Sequence, residues 1–89
     1  MGLTDRPAVV LYTREGCHLC DAAREELVAL RSQLSPFELR EVDIEGDEAL
    51  HAAYLERIPV IEVDGEPVSE LWLDREALER ALLALRRIP

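Results

Sequence analysis

Lysine and asparagine are both absent from this 89-residue chain, so the ten residues counted as lysine plus arginine are all arginines. An arginine keeps its proton near neutral pH and therefore cannot act as a proton donor there. Any such cation at a functional site must work as a fixed positive charge or as a hydrogen-bond donor. A mechanism that depends on a reactive lysine is excluded.

The chain also lacks a long apolar run, and its first residues lack a basic segment followed by an apolar one. A membrane-spanning helix needs about 18 or more apolar residues, and a secretory signal needs the basic and apolar segments together. We therefore expect a cytoplasmic protein with no membrane partner. A net charge of −9 further opposes nucleic acid and anionic lipid, because both require clustered cations.

Cysteine is scarce as well, since Cys17 and Cys20 are the only two and form a C-x-x-C motif. A structural disulfide over so short a loop would add little stability. A structural zinc ion needs four ligands, and His18 and His51 are the only histidines to complete the set. Because His18 lies between the thiols, it cannot easily join them on one ion, and we expect no metal within one chain. An iron–sulfur cluster or metal bound through Cys17 in a dimer stays open as an alternative.

The apolar periodicity predicts an α/β domain over residues 1–89, with elements in the order β-α-β-α-β-β-α. The four strands are expected at residues 8–12, at 37–44, from Pro59 onward and after the turn signal Asp64-Gly65. The three helices are expected from Cys17 to a stop at Ser35-Pro36, over 47–55, and after the N-cap Asp74 with an apolar stripe of Leu78, Ala81, Leu82 and Leu85. This order predicts a four-stranded mixed sheet with helices on both faces.

Both cysteines are thus expected on the first turn of the first helix. The free amides and the dipole at a helix N-terminus lower a cysteine pKa from about 8.5 to roughly 3.5–7.5. Cys17 is placed to feel this effect and is the predicted nucleophile. Cys20 lies one turn deeper, within reach of the first sulfur, and is the predicted resolving thiol. Together they predict a dithiol–disulfide oxidoreductase, an enzyme that needs no organic cofactor.

The motif and its surroundings resemble the glutaredoxin-like members of the thioredoxin superfamily. The segments "VVLYTREGCHLC", "ELREVDIEGDEAL" and "RIPVIEVDG", with the closing helix, carry the resemblance over about residues 8–85. It implies a thioredoxin-like, glutaredoxin-type fold with the same roles for the two cysteines. It also implies that Arg14 helps to hold the thiolate and a glutathione carboxylate, that Pro59 is cis, and that the backbone of Ile58 docks the substrate.

The sequence departs from that family at two places. Ser69-Glu70 stands where glutathione-using relatives carry Gly-Gly, which disfavours glutathione by bulk and negative charge. His18 stands between the cysteines where many relatives have proline, and we consider it either a support for the Cys17 thiolate or an exposed residue without a role. Trp72, the only tryptophan, is expected to cover the core beside the last helix rather than to anchor a partner.

These features predict a monomer that acts on a disulfide-containing protein or a small thiol substrate. The electron donor is either a reductase or glutathione, and glutathione can then serve as a co-substrate. A third interpretation is an adaptor protein that has kept the fold but has no catalytic turnover. It is disfavoured because an adaptor would not need Cys20.

Overall fold

A computed structural model of the chain describes residues 6–33 and 36–86. The elements follow the predicted order: β1 (Ala8–Thr13), α1 (His18–Gln33), β2 (Glu38–Asp43), a 3-10 turn (Ile44–Gly46), α2 (Glu48–Tyr54), β3 (Val60–Val63), β4 (Glu66–Glu70) and α3 (Arg75–Arg86). The expected helix stop at Ser35 lies outside the described residues, as does the side chain of Leu85. No helix in the described part of the chain combines the length and the apolar character needed to cross a membrane.

The strands form one mixed sheet in the order β2-β1-β3-β4. β1 runs parallel to β2, as a crossover through α1 requires, and antiparallel to β3. β3 and β4 form the predicted hairpin, in which Asp64 (φ 49°) and Gly65 (φ 87°) both take the positive φ of a two-residue turn. The predicted four-stranded mixed sheet is confirmed.

Helices cover both faces of this sheet because successive strand residues point to opposite sides. On one face, Val9 and Leu11 of β1 pack with Leu27 of α1 and Leu78 of α3 in the larger hydrophobic cluster. On the other face, Tyr12 and Val60 pack with residues of α2 in a smaller cluster. This smaller cluster contains Cys20 and is called the cysteine cluster below; its members are Cys20, Ile44, Ile58 and Val60, with Tyr12, Cys17, Leu50, Tyr54 and Leu55 packed against them.

Two aspartates begin the second and third helices. The Asp47 carboxylate accepts the Leu50 N–H at 3.0 Å, and the Asp74 carboxylate accepts the Ala77 N–H at 3.1 Å. Each satisfies an amide that has no partner inside the helix. The predicted N-cap at Asp74 is therefore confirmed, and it determines where the chain turns back onto the sheet after β4.

Candidate active site

The two cysteines lie where β1 leads into α1. Cys17 and Cys20 are joined by a disulfide, and their Cα atoms are 5.2 Å apart. The helix begins at His18, so Cys17 lies one residue before it rather than inside its first turn. Because the Cys17 carbonyl accepts the Asp21 N–H at 3.0 Å, Cys17 is the N-cap residue of α1.

The sulfur of Cys17 performs the hydrogen bonding of an N-cap side chain. The Cys20 N–H donates to the Sγ of Cys17 at 3.1 Å, where an oxygen of serine or aspartate accepts in other helices. This amide and the helix dipole favour negative charge on that sulfur once the disulfide is reduced. Of the two cysteines, Cys17 is therefore the one placed where the helix would stabilise a thiolate.

Burial separates the two thiols further. Cys20 is fully buried in the cysteine cluster, whereas Cys17 is partly exposed and packs against the outside of that cluster. Of the two residues, only Cys17 is thus open to solvent. The buried sulfur of Cys20 lies against the sulfur of Cys17, to which it is bonded.

Gly16 makes the turn that brings Cys17 onto the helix. Its φ of 82° lies in the left-handed region that residues with a side chain rarely adopt. A Cβ at this position would meet no heavy atom within 4 Å, so space does not demand the glycine. The backbone conformation demands it.

The loop before β3 packs into the same cluster. Pro59 is buried, and the Ile58–Pro59 peptide bond is cis, as the family resemblance implies. The Ile58 side chain is buried beside Cys20, and its N–H donates to the Tyr54 carbonyl at 3.0 Å. The structure thus brings Ile58 and Pro59 together with the cysteines. The Ile58 N–H already has a partner, and substrate docking by the Ile58 backbone stays a prediction.

Arg14 and His18 flank the cysteines in different ways. Arg14 forms an ion pair with Glu45 (2.8 Å) and is partly exposed, while His18 is exposed on the first turn of α1. The carboxylate of Glu45 offsets the charge that Arg14 offers to a thiolate nearby. Their roles in supporting Cys17 stay predictions.

We expect Arg14→Gln to raise the pKa of the reduced Cys17 thiol slightly and to slow its alkylation at about pH 6, because a partly exposed and already paired charge contributes little. Glu45→Gln is the matched control, since it frees Arg14 and should shift the titration in the opposite direction. Alkylation rates measured across pH report both shifts. Identical alkylation curves for the two variants and the parent protein would contradict this prediction and show that the ion pair has no effect on Cys17.

A shallow cleft beside Gly16 carries an excess of acid. It is lined by Thr13, Arg14, Glu15, Gly16, Asp21, Arg24, Glu41 and Asp43. The guanidinium of Arg24 bonds both Asp21 and Glu41 at 2.8 Å, so its charge is also neutralised. This side of the site therefore carries a net negative charge. Among the described residues, no group of three or more histidine, cysteine, aspartate or glutamate side chains could hold a metal ion.

Glu62 is a buried acid next to this site that the strand pattern did not predict. Its two carboxylate oxygens accept the hydroxyls of Tyr12 at 3.0 Å and of Tyr54 at 3.2 Å. Burial, together with the hydrogen bond and the charge of Glu62, raises the pKa of Tyr12 to about 12. The network ties β1, β3 and α2 together beneath the cysteines. The only signal in the sequence was one acid within the apolar run "VIEV".

An ion pair occupies the place that the resemblance assigns to Gly-Gly. Both Nε (3.0 Å) and Nη2 (2.7 Å) of Arg57 donate to one carboxylate oxygen of Glu70. The Arg57 guanidinium also lies over the ring of Tyr54, 5.4 Å from its centroid. The neighbouring Ser69 Oγ is buried and has no hydrogen-bond partner among the described residues. This surface is therefore filled by side chains rather than left open along the backbone.

The expectation that Trp72 covers the core is wrong, because its side chain is 64% exposed. Leu73 takes the buried place beside α3 and packs with Leu78 in the larger hydrophobic cluster. Between β4 and Trp72, Leu71 has a left-handed φ of 73°, which redirects the chain as it leaves the sheet. The only tryptophan of the protein is therefore left on the surface.

Comparison with known proteins connects this geometry to a family. The family described as "Glutaredoxin-like domain (DUF836)" matches residues 8–83. An uncharacterized protein of Mycobacterium tuberculosis is 35% identical over 78 residues, which cover 82% of this chain and 79% of the relative. The family match over residues 8–83 includes the cysteines, the cis-proline loop and most of α3.

Two solved structures share the fold. A protein of Nitrosomonas europaea, known from a solution NMR structure, superimposes with a TM-score of 0.79 at 30% identity, covering 92% of this chain and 98% of the other. A mutant thioredoxin from Halobacterium salinarum superimposes with a TM-score of 0.64 at 20% identity, covering 93% of this chain and 77% of the other, and shows the fold alone. With its C-x-x-C cysteines at the start of α1, this chain belongs to the glutaredoxin-like family and has the thioredoxin fold.

Proposed function

We propose that this protein is a cytoplasmic dithiol–disulfide oxidoreductase that acts as a monomer and needs no organic cofactor. The observation that carries the proposal is the asymmetry of the cysteine pair. Cys17 is partly exposed and its sulfur accepts an amide of the first helical turn, whereas Cys20 is fully buried within disulfide distance. One thiol is thus suited to attack a substrate, and the other to release it.

The reaction is two successive thiol–disulfide exchanges. The thiolate of reduced Cys17 attacks one sulfur of a substrate disulfide, forming a mixed disulfide and releasing the other substrate sulfur as a thiolate. Cys20 then loses its proton and attacks the Sγ of Cys17, which releases the second substrate thiolate. The substrate gains two electrons, and the protein is left with the Cys17–Cys20 disulfide. An external dithiol, or two molecules of a monothiol, must return those electrons.

The surroundings of Cys17 favour a protein disulfide over glutathione as the reaction partner. Glutathione is anionic, and it would meet a chain of net charge −9 with an acid-rich cleft beside Gly16. Glu70 and its partner Arg57 fill the surface that Gly-Gly leaves open in glutathione-using relatives. A reductase is accordingly the proposed electron donor.

This proposal is tested by offering the oxidised protein two electron sources separately. One sample receives glutathione and the other a thioredoxin-reductase system, and free thiols are counted over time. We expect two thiols to appear faster with the reductase system, followed by turnover of hydroxyethyl disulfide. Failure of both donors would contradict the proposal. An anaerobic absorbance spectrum with cluster bands would instead support the iron–sulfur alternative.

A further inference from the structure

The chain after β4 presents two large apolar side chains to solvent beside the cis-proline loop. Leu71 is 40% exposed and Trp72 is 64% exposed. The Leu71 N–H donates to the carbonyls of Pro59 (2.9 Å) and Arg57 (3.0 Å), which holds this step against the loop. The pair, called the Leu71–Trp72 step, is therefore continuous with the candidate active site.

The backbone of this step is held in an unfavourable conformation. Leu71 has φ 73° in the left-handed region, which a side chain with a Cβ adopts only at a cost in free energy. Such a conformation persists where the surrounding structure enforces it, and it is enriched at functional sites. Here it breaks the alternation of β4, so that Leu73 turns into the core and Trp72 turns outward.

Exposed apolar side chains are concentrated near the cysteines and this loop. The large exposed hydrophobic side chains of the described residues are Leu19, Val28, Leu71, Trp72 and Leu83. Leu19 lies between the two cysteines, and Leu71 and Trp72 lie beside Pro59, whereas Val28 and Leu83 lie further along α1 and α3. An exposed tryptophan is typical of a binding anchor, since it buries a large area with few rotatable bonds.

We infer that the Leu71–Trp72 step binds an apolar side chain of a polypeptide whose disulfide reacts with Cys17. This inference rests on the proposed function and names its substrate class: an extended segment with an apolar residue next to the reacting cysteine and arginine or lysine around it. The apolar residue of the substrate complements the exposed side chains of Leu71 and Trp72. The substrate cations complement the protein's net charge of −9. Glutathione offers neither feature.

The test uses two synthetic peptides, each with one disulfide and arginines at both ends. One peptide carries leucine next to a cysteine, and the matched peptide carries alanine there. We expect the parent protein to reduce the leucine peptide with a kcat/KM about tenfold above that for the alanine peptide, as for one well-packed aromatic anchor. Trp72→Ala should remove this preference, so that kcat/KM for the leucine peptide falls to the value for the alanine peptide.

Leu83→Ala is the matched control, because it removes an exposed apolar side chain on α3 away from the loop. Leu71→Gly provides a second variant that keeps the left-handed backbone easily and deletes only the side chain. It should also weaken the preference for the leucine peptide. Equal preference in the parent protein and Trp72→Ala, or an equal loss in Leu83→Ala, would overturn the inference while leaving the proposed function intact.

Fluorescence gives a readout that does not depend on turnover, because Trp72 is the only tryptophan. A redox-inert leucine peptide, with serine in place of each cysteine, should shift the emission to shorter wavelength in a saturable way. The alanine peptide should bind more weakly. If the redox-inert leucine peptide binds but the protein reduces no disulfide, the proposed function is wrong while the binding role of Trp72 is supported. A concentration-dependent shift without peptide would instead assign the step to contacts between copies of this chain.

Discussion

Replacing Cys17 by serine is expected to abolish reduction of hydroxyethyl disulfide and of protein disulfides. Replacing Cys20 by serine is expected to trap a mixed disulfide on Cys17. The reason is the unequal position of the two sulfurs, since Cys17 is partly exposed at the N-cap of α1 and Cys20 is fully buried. Without Cys17 no substrate sulfur is attacked, and without Cys20 no thiol is close enough to release the product.

Mass spectrometry of each variant after incubation with substrate distinguishes the two outcomes. The Cys20→Ser protein should gain the mass of one substrate thiol, and added reductant should remove it. The Cys17→Ser protein should gain nothing. If pH-dependent alkylation shows Cys20 to be the more acidic and faster thiol, the two roles are assigned the wrong way round.

Glutathione-dependent turnover is expected to rise about tenfold in the double variant Ser69→Gly with Glu70→Gly, because bulk and one negative charge are removed together. The change also frees the guanidinium of Arg57, which Glu70 now holds at 2.7 Å, to meet a carboxylate of glutathione. The pKa of reduced Cys17 should stay nearly constant, because these residues lie at the end of β4 rather than at the start of α1.

Steady-state rates at increasing glutathione concentration measure this effect. Glu66→Gly is the matched control, because it removes a charge and a side chain from the other end of β4. It should have little effect on glutathione turnover. Efficient, saturable turnover by the unaltered protein at cellular glutathione concentrations would contradict the prediction and restore an ordinary glutaredoxin assignment.

The element order could be read from the sequence because each element carries its own local signal. The C-x-x-C motif at the end of an apolar strand identified the cysteines that the structure joins. Asp64-Gly65 predicted the hairpin turn, and Asp74 predicted the start of α3. Each of these signals depends on a few neighbouring residues and on backbone preferences that hold in most contexts.

Tertiary packing decided the features that join distant parts of the chain. The network of Tyr12, Glu62 and Tyr54 joins β1, β3 and α2. The pair Arg57 and Glu70 likewise joins the loop before β3 to the end of β4. In neither contact does the sequence around one residue indicate which residue will be its partner. Polar groups pair where the fold brings them close, whether they are buried like Glu62 or exposed like Arg57, and that proximity does not exist before the chain folds.

The position of Trp72 shows most clearly the difference between what the sequence determines and what tertiary packing determines. Its size predicted burial, yet of the three successive large apolar residues where the chain leaves β4, only Leu73 is buried in the core. The sequence by itself determined the thiol pair, the order of strands and helices, and the turn and caps that connect them, because those follow from short-range conformational preference. Only the tertiary structure decided which side chains surround the cysteines and which remain exposed, because space in a close-packed core is shared by the whole fold.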